Sequence, residues 1–264
     1  MRSSRTRSLS LVCAFALMAG AGCNGGEEPD GAAPAGDELT GDATIFTAAS
    51  LTGSFEELKE IFEAENPGTT ISLNLGSSSG LATQIVEQGG ADAFASADRV
   101  NMKKVTDQDL TDGEPEIFIR NVLAIIVAPG NPKRISSLAD LANPDLKVIM
   151  AAPQVPIGRY GREALQKAGV SGVNPVSDAI DVKGVVGPVT LGEADAGIVY
   201  VSDIQAVGDE ADQVEIPEEH NVDAQYPIAL IKDGPNPAVG RSFVDFVLSD
   251  EGTKVLTDNG FTAV

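Results

Sequence analysis

Basic residues are scarce in this chain: 18 Lys and Arg stand against 39 Asp and Glu, for a formal charge of −21. Three of the basic residues, Arg2, Arg5 and Arg7, open an N-terminal segment built like a secretory signal; without them 15 basic side chains face 39 acidic ones, a charge of −24. Nucleic acid and anionic membrane surfaces are thereby excluded as partners, since both reward basic patches. Cysteine is nearly absent too. Cys13 lies inside the signal and Cys23 at its end, so no disulfide can form within residues 24–264. Histidine occurs once, as His220, which leaves any serine-based triad a single candidate base. Beyond the run Leu9 to Met18 no apolar stretch approaches the ~20 residues that span a bilayer.

What is present begins with that leader. Residues 1–23 read as a signal peptide and place the mature chain outside the cytoplasm, in the cell envelope. Gly20-Ala21-Gly22-Cys23 resembles a bacterial lipobox, with Gly where Leu is usual three positions before the cysteine, and makes Cys23 the candidate lipid attachment site. Residues 24–41 have almost nothing to bury and read as a flexible linker, as an anchored domain requires.

From residue 42 short strand-like runs alternate with helical patterns, which predicts an α/β protein with mixed, mainly parallel sheets. Four strand-to-helix turns stand out. Ala43-Thr44-Ile45-Phe46 leads to a helix with Phe55, Leu58, Ile61 and Phe62 on one face, with Ser50 or Thr52 as its N-cap. Ile71, Leu73 and Leu75 alternate as a strand before Gly76-Ser77-Ser78-Ser79-Gly80 and a helix carrying Leu81 and Ile85. Val148 to Ala152 runs through Val155-Pro156-Ile157-Gly158 into a helix that stops near Gly169, with Pro156 in its first turn. Asp181 caps a short helix in Ile180 to Gly184, and Gly197 to Tyr200 follows as a strand. No internal repeat is visible.

Helix N-termini at the carboxyl ends of parallel strands offer free amides and a positive dipole end, so anions are their natural guests. Gly76-Ser77-Ser78-Ser79-Gly80 also fits G-x-S-x-G, the nucleophile elbow of serine hydrolases, with His220 in the right chain order downstream. Against that reading, His220 sits in the polar stretch Ile216-Pro217-Glu218-Glu219-His220-Asn221, and no oxyanion segment of the His-Gly-Gly kind occurs. Under the binding reading the three serines supply hydroxyls and successive amides, and no histidine is needed.

Taken in order, Ala48-Ala49-Ser50-Leu51-Thr52, Gly76 to Ala82, Ala91-Asp92-Ala93-Phe94-Ala95-Ser96-Ala97-Asp98, Val155 to Tyr160 and Gly197 to Asp203 resemble the molybdate-binding proteins of bacterial ABC importers. The likeness extends across residues 42–264. It implies the type II periplasmic-binding-protein fold: two α/β lobes with a cleft between them, the first formed by residues 42–121 with a C-terminal return over 226–264, the second by 122–225. The apolar runs Val122 to Ala128 and Tyr226 to Ile231 are the candidate crossing strands. The resemblance also implies a tetrahedral oxyanion, molybdate or tungstate, held by the hydroxyls and amides of Ser50 and Ser78, the backbone amides of Ile157 and Val182, and the phenol of Tyr200. The position of Ile157 is usually Ala in that family. Molybdenum would enter only as molybdate; no cofactor and no catalysis are implied, and the partners are the anion, an ABC permease and the membrane through a lipid anchor, with the receptor a monomer. Sulfate is the nearest rival ligand, a hydrolase using Ser78 the rival of another class, and a purely structural surface protein the third reading. Arg159, beside the proposed contact, reads as a solvent-facing helix residue.

Overall fold

The computed structural model describes residues 39–264; the expected signal peptide, Cys23 and nearly all of the linker lie outside the described residues. Eighteen strands and helices follow in three blocks. The first holds β1 (Gly41–Ala48), α1 (Thr52–Glu65), β2 (Thr69–Gly76), α2 (Ser78–Gln88), β3 (Ala93–Ala95), α3 (Arg99–Thr106) and β4 (Thr111–Asn121). The second holds β5 (Leu123–Val127), β6 (Val148–Ala151), α4 (Pro156–Lys167), β7 (Ser177–Ala179), α5 (Lys183–Thr190), β8 (Ala196–Tyr200), α6 (Val201–Val207) and β9 (Asp212–Glu215). β10 (Ala224–Ile231), α7 (Pro237–Val247) and α8 (Asp250–Asp258) close the chain.

Two five-stranded sheets result, ordered β2-β1-β3-β10-β4 and β7-β6-β8-β5-β9. In each, three strands run parallel (β2-β1-β3 and β7-β6-β8) and the other two pairings are antiparallel. The antiparallel share exceeds what the alternating pattern predicts because β4, β5, β9 and β10 are segments that pass between the sheets rather than βαβ units. The fold is the two-lobed α/β architecture with helices on both faces of each sheet.

Strand alternation divides the first lobe's core. Ile45 faces the side where α1 and α7 lie, and Phe46 the side of α2 and α3. On the former, Phe55 and Phe62 of α1 meet Phe243 of α7 edge to face at 6.1 and 5.3 Å. On the latter, Phe46 and Phe94 pack with Leu81, Ile85, Met102 and Val105. Each fully buried ring contributes about 1.5–3 kcal/mol, enough to hold the helix starts against the strand ends.

Two connections of unequal length join the lobes. β4 passes into β5 through Val122 alone, and the chain returns from β9 to β10 through a 3-10 turn at Glu218–His220. The crossing is therefore made at the ends of the expected strands, and Tyr226 to Ile231 lies wholly within the first sheet. Asn221 ties the two connections together: its amide oxygen accepts from Leu123 N–H at 2.9 Å, and its amide nitrogen donates to the Leu123 carbonyl at 2.9 Å.

Candidate functional site

The carboxyl ends of β1, β2, β6 and β8 face one small cavity. From the first lobe come Ala48, Ala49 and Ser50, then Gly76, Ser77 and Ser78, and Ala97; from the second come Val155, Pro156 and Ile157, then Asp181, Val182 and Tyr200. All five residues singled out in the sequence (Ser50, Ser78, Ile157, Val182 and Tyr200) therefore meet in one place. None of the lining residues is Lys, Arg or His.

The hydroxyls are placed by their own partners. Ser77 is the N-cap of α2, its Oγ accepting from Gly80 N–H at 3.3 Å, so Ser78 becomes the first helical residue. Ser78 is 1% exposed, and its Oγ accepts from the Ala97 N–H at 2.9 Å. With that lone pair engaged, the Ser78 proton is left for another acceptor. Ser50 does not cap α1 as expected, nor does Thr52. Instead residues Ala49–Leu51 form a 3-10 turn, Leu51 precedes the helix without a side-chain cap, and the Thr52 hydroxyl donates back to the Ala49 carbonyl at 2.7 Å. That turn brings Ser50 Oγ to 3.0 Å from the hydroxyl of Tyr226, a fully buried residue of β10.

Tyr200 ends β8 with its ring edge-on to Tyr226 at 5.7 Å, and Phe261 meets Tyr226 edge-on at 5.6 Å. The Tyr200 hydroxyl is buried and has no hydrogen-bond partner among the described residues. Burial, reinforced by the neighbouring Tyr226, pushes its ionisation well above the usual phenol range, so it remains a neutral donor. A buried hydroxyl in a cavity wall is placed to donate to an acceptor that enters the cavity.

Helix starts lie beside these hydroxyls. The first turns of α2 and α4 leave N–H groups that no helical carbonyl can reach, and those of Ser78 and Ile157 belong to this set. Pro156 occupies the first position of α4, where its missing N–H costs nothing. Gly158 permits the close approach of that helix to β6, since a Cβ there would overlap the carbonyl oxygens of Ala151 and Ala152. The N-cap of α5 is Val182 and not Asp181 as expected; Asp181 stands just before it, its Oδ1 accepting from Gly184 N–H at 2.9 Å, and Val182 lines the cavity. Ile157, the larger residue at that position, is 2% exposed and packs into the hydrophobic core, so its bulk is absorbed there.

The hydrolase arrangement is not formed. No hydrogen bond joins His220 to Ser78; His220 lies in the 3-10 turn Glu218–His220, which packs against α4, and its buried Nδ1 lacks a partner among the described residues. Among the described residues no group of three or more His, Cys, Asp or Glu could hold a metal ion, and no helix is long and apolar enough to cross a membrane. Two features have no sign in the local sequence. Nothing around Tyr226 points to its reaching Ser50, 176 residues away. Arg159 does not face solvent freely, as its helix position predicts; it pairs with Asp98 at 2.8 Å.

Residues 43–262 match the family described as "Bacterial extracellular solute-binding protein". The chain is 39% identical over 255 residues to the molybdate-binding protein ModA of Mycobacterium tuberculosis, covering 96% of this chain and 97% of that one. The solved periplasmic molybdate-binding protein of Azotobacter vinelandii superposes with a TM-score of 0.75 at 20% identity, covering 84% of this chain and 99% of that one. The sulfate-binding protein SubI of M. tuberculosis superposes with a TM-score of 0.77 at 16% identity, covering 86% and 88%. At these identities the two superpositions speak for the fold and not for the anion.

Proposed function

The chain belongs to the bacterial extracellular solute-binding protein family, and we propose that it is the extracytoplasmic receptor that closes on molybdate, and on tungstate, for delivery to the permease of an ABC importer. The single observation that carries this reading is the cavity between the lobes, where hydroxyls and helix-start amides converge without a cationic side chain. Ser50, Ser78, Ile157, Val182 and Tyr200 hold the oxyanion; the ModA relative, named for binding molybdate, supports the choice of ligand.

Neutral donors suit this task. A doubly charged anion approaching a strongly acidic protein gains nothing from the long-range field, so capture rests on contacts made after entry. Hydrogen bonds to a charged group contribute about 1.5–3 kcal/mol each, and several converging ones reach the about −8 kcal/mol of micromolar binding after the costs of ordering. A fully deprotonated tetrahedral anion accepts from every donor around it, whereas a protonated phosphate would set its own O–H against one of them. Ser78 acts as a donor and not as a nucleophile, and the protein is not an enzyme.

The receptor works as a monomer, with residues 42–121 and 226–264 as one lobe and 122–225 as the other. Cys23 anchors it by lipid to the membrane, and residues 24–41 tether it within reach of the permease. Calorimetric titration with molybdate, tungstate, sulfate and phosphate tests the assignment. Tight binding of the first two and weak binding of phosphate is the expected outcome. Preference for sulfate would move the assignment to that anion, and no binding of any oxyanion would end it.

A further inference from the structure

Among the described residues, the ion pair Arg159–Asp98 passes from lobe to lobe. Asp98 follows β3 in the first lobe and its side chain is fully buried; Arg159 sits near the start of α4 in the second lobe, with 31% of its side chain exposed. Arg159 Nη2 donates to Asp98 Oδ2 at 2.8 Å, and the guanidinium lies 4.9 Å above the Tyr160 ring. The other ion pairs among the described residues join groups of the same lobe or, for Arg120 and Asp223, flank the connections.

The Asp98 carboxylate has a second duty. It caps α3, with Oδ1 accepting from Asn101 N–H at 2.6 Å and Oδ2 from Asn101 Nδ2 at 2.9 Å. The residue before it, Ala97, donates its N–H to Ser78 Oγ. Contact therefore runs from α4 through Asp98 and Ala97 to the Ser78 hydroxyl in the cavity wall. Arg159 does not line that cavity, and its charge is committed to Asp98. Separating the lobes would break the 2.8 Å contact between the guanidinium and the Asp98 carboxylate, so the pair favours the closed arrangement.

We propose that Arg159 is a positioning residue of the anion site: its clasp on Asp98 holds the lobes together and keeps the Ala97 N–H on Ser78, so that the clasp governs release of the anion. This rests on the receptor reading above. The clasp forms only when the lobes meet, so it acts on the dissociation rate and leaves the encounter rate almost unchanged.

The chain has three tyrosines and no tryptophan: Tyr200 lines the cavity, Tyr226 packs against Ser50 and Tyr200, and Tyr160 lies under Arg159. Tyrosine fluorescence in stopped flow, with molybdate as the probe, thus reads the site directly. Arg159→Gln should raise the dissociation rate about tenfold with association changed less than about twofold, and Arg159→Lys should recover part of the loss. Asp98→Asn should act in the same direction, and the double variant should be no worse than the more severe single one. Because Asp98→Asn also touches the α3 cap, the two Arg159 variants carry the test if it folds poorly. If wild type binds and Arg159→Gln releases molybdate at the wild-type rate, the clasp is refuted while the receptor reading stands. Tighter binding by Asp98→Asn would also refute it, because that is the result expected if Arg159 contacted the anion itself. No response of wild type to any oxyanion would overturn both.

Discussion

Replacing Ser78 by Ala removes one oxygen that has two partners of different kinds. In the ligand-free protein the Ala97 N–H loses its acceptor at 2.9 Å, in a place where Ala97 is 3% exposed and Ser78 1%. A buried donor left unpaired costs about 1–3 kcal/mol. For a domain of this size each kcal/mol moves Tm by about 2–4 °C, so thermal unfolding of Ser78→Ala should fall by about 2–12 °C before any ligand is added. With molybdate present a charge-assisted donor is lost as well, worth about 1.5–3 kcal/mol, and affinity should weaken about ten- to 150-fold. Ser79→Ala is the matched control. The Ser79 hydroxyl donates only to Ser77 Oγ, at 3.3 Å, and its removal should shift stability by less than about 0.5 kcal/mol and leave affinity near wild type. Differential scanning calorimetry and isothermal titration on the three proteins separate the two effects. Unchanged affinity in Ser78→Ala would refute its role as a donor, and a loss of affinity without loss of ligand-free stability would refute the Ala97 hydrogen bond as the element that orients it.

Tyr200→Phe should have opposite signs in the two assays: the ligand-free protein keeps or gains up to about 1 kcal/mol, since a partnerless buried hydroxyl is removed, while molybdate affinity falls about tenfold. Parallel losses of stability and affinity in chemical denaturation and titration would contradict this. Gly158→Ala drives a Cβ into the Ala151 and Ala152 carbonyl oxygens and must lift the start of α4, costing about 1–3 kcal/mol and misplacing the Ile157 amide; wild-type affinity in this variant would exclude that amide from the site. Burial, partly offset by Lys183, pushes Asp203 from 3.8 up to about 6, so the folded state binds this proton more readily than the unfolded chain. Its contribution to stability therefore improves by about 1 kcal/mol as pH falls from 7 to 5, and denaturant titrations of Asp203→Asn across that range should lack this component. The same pH dependence in the variant as in wild type would exclude Asp203 as its source.

The parts of the site written in contiguous residues are legible in the sequence. Ser77 to Ser79 follow a strand with period-two alternation, Pro156 stands where a helix begins, and Asp181 accepts from the N–H of Gly184, three residues on. Ile157 and Val182 are different: as proposed backbone donors they have no side-chain signature, and only the family resemblance points to them. Local chemistry also misleads. Ser50 and Thr52 are both good capping residues, yet the chain turns through a 3-10 segment there because the Thr52 hydroxyl returns to the Ala49 carbonyl.

Sequence by itself determined that this is an α/β chain with anion-ready helix starts and too few basic residues to attract an anion from a distance, because periodicity, capping and charge are properties of neighbouring residues and of sums. Only the tertiary structure decided that these helix starts face one another across one cavity, that Tyr226 meets Ser50, and that Arg159 clasps Asp98. Those contacts link residues 61 and 176 positions apart, and no local preference can encode them; they depend on how two sheets are ordered and on how far the lobes close.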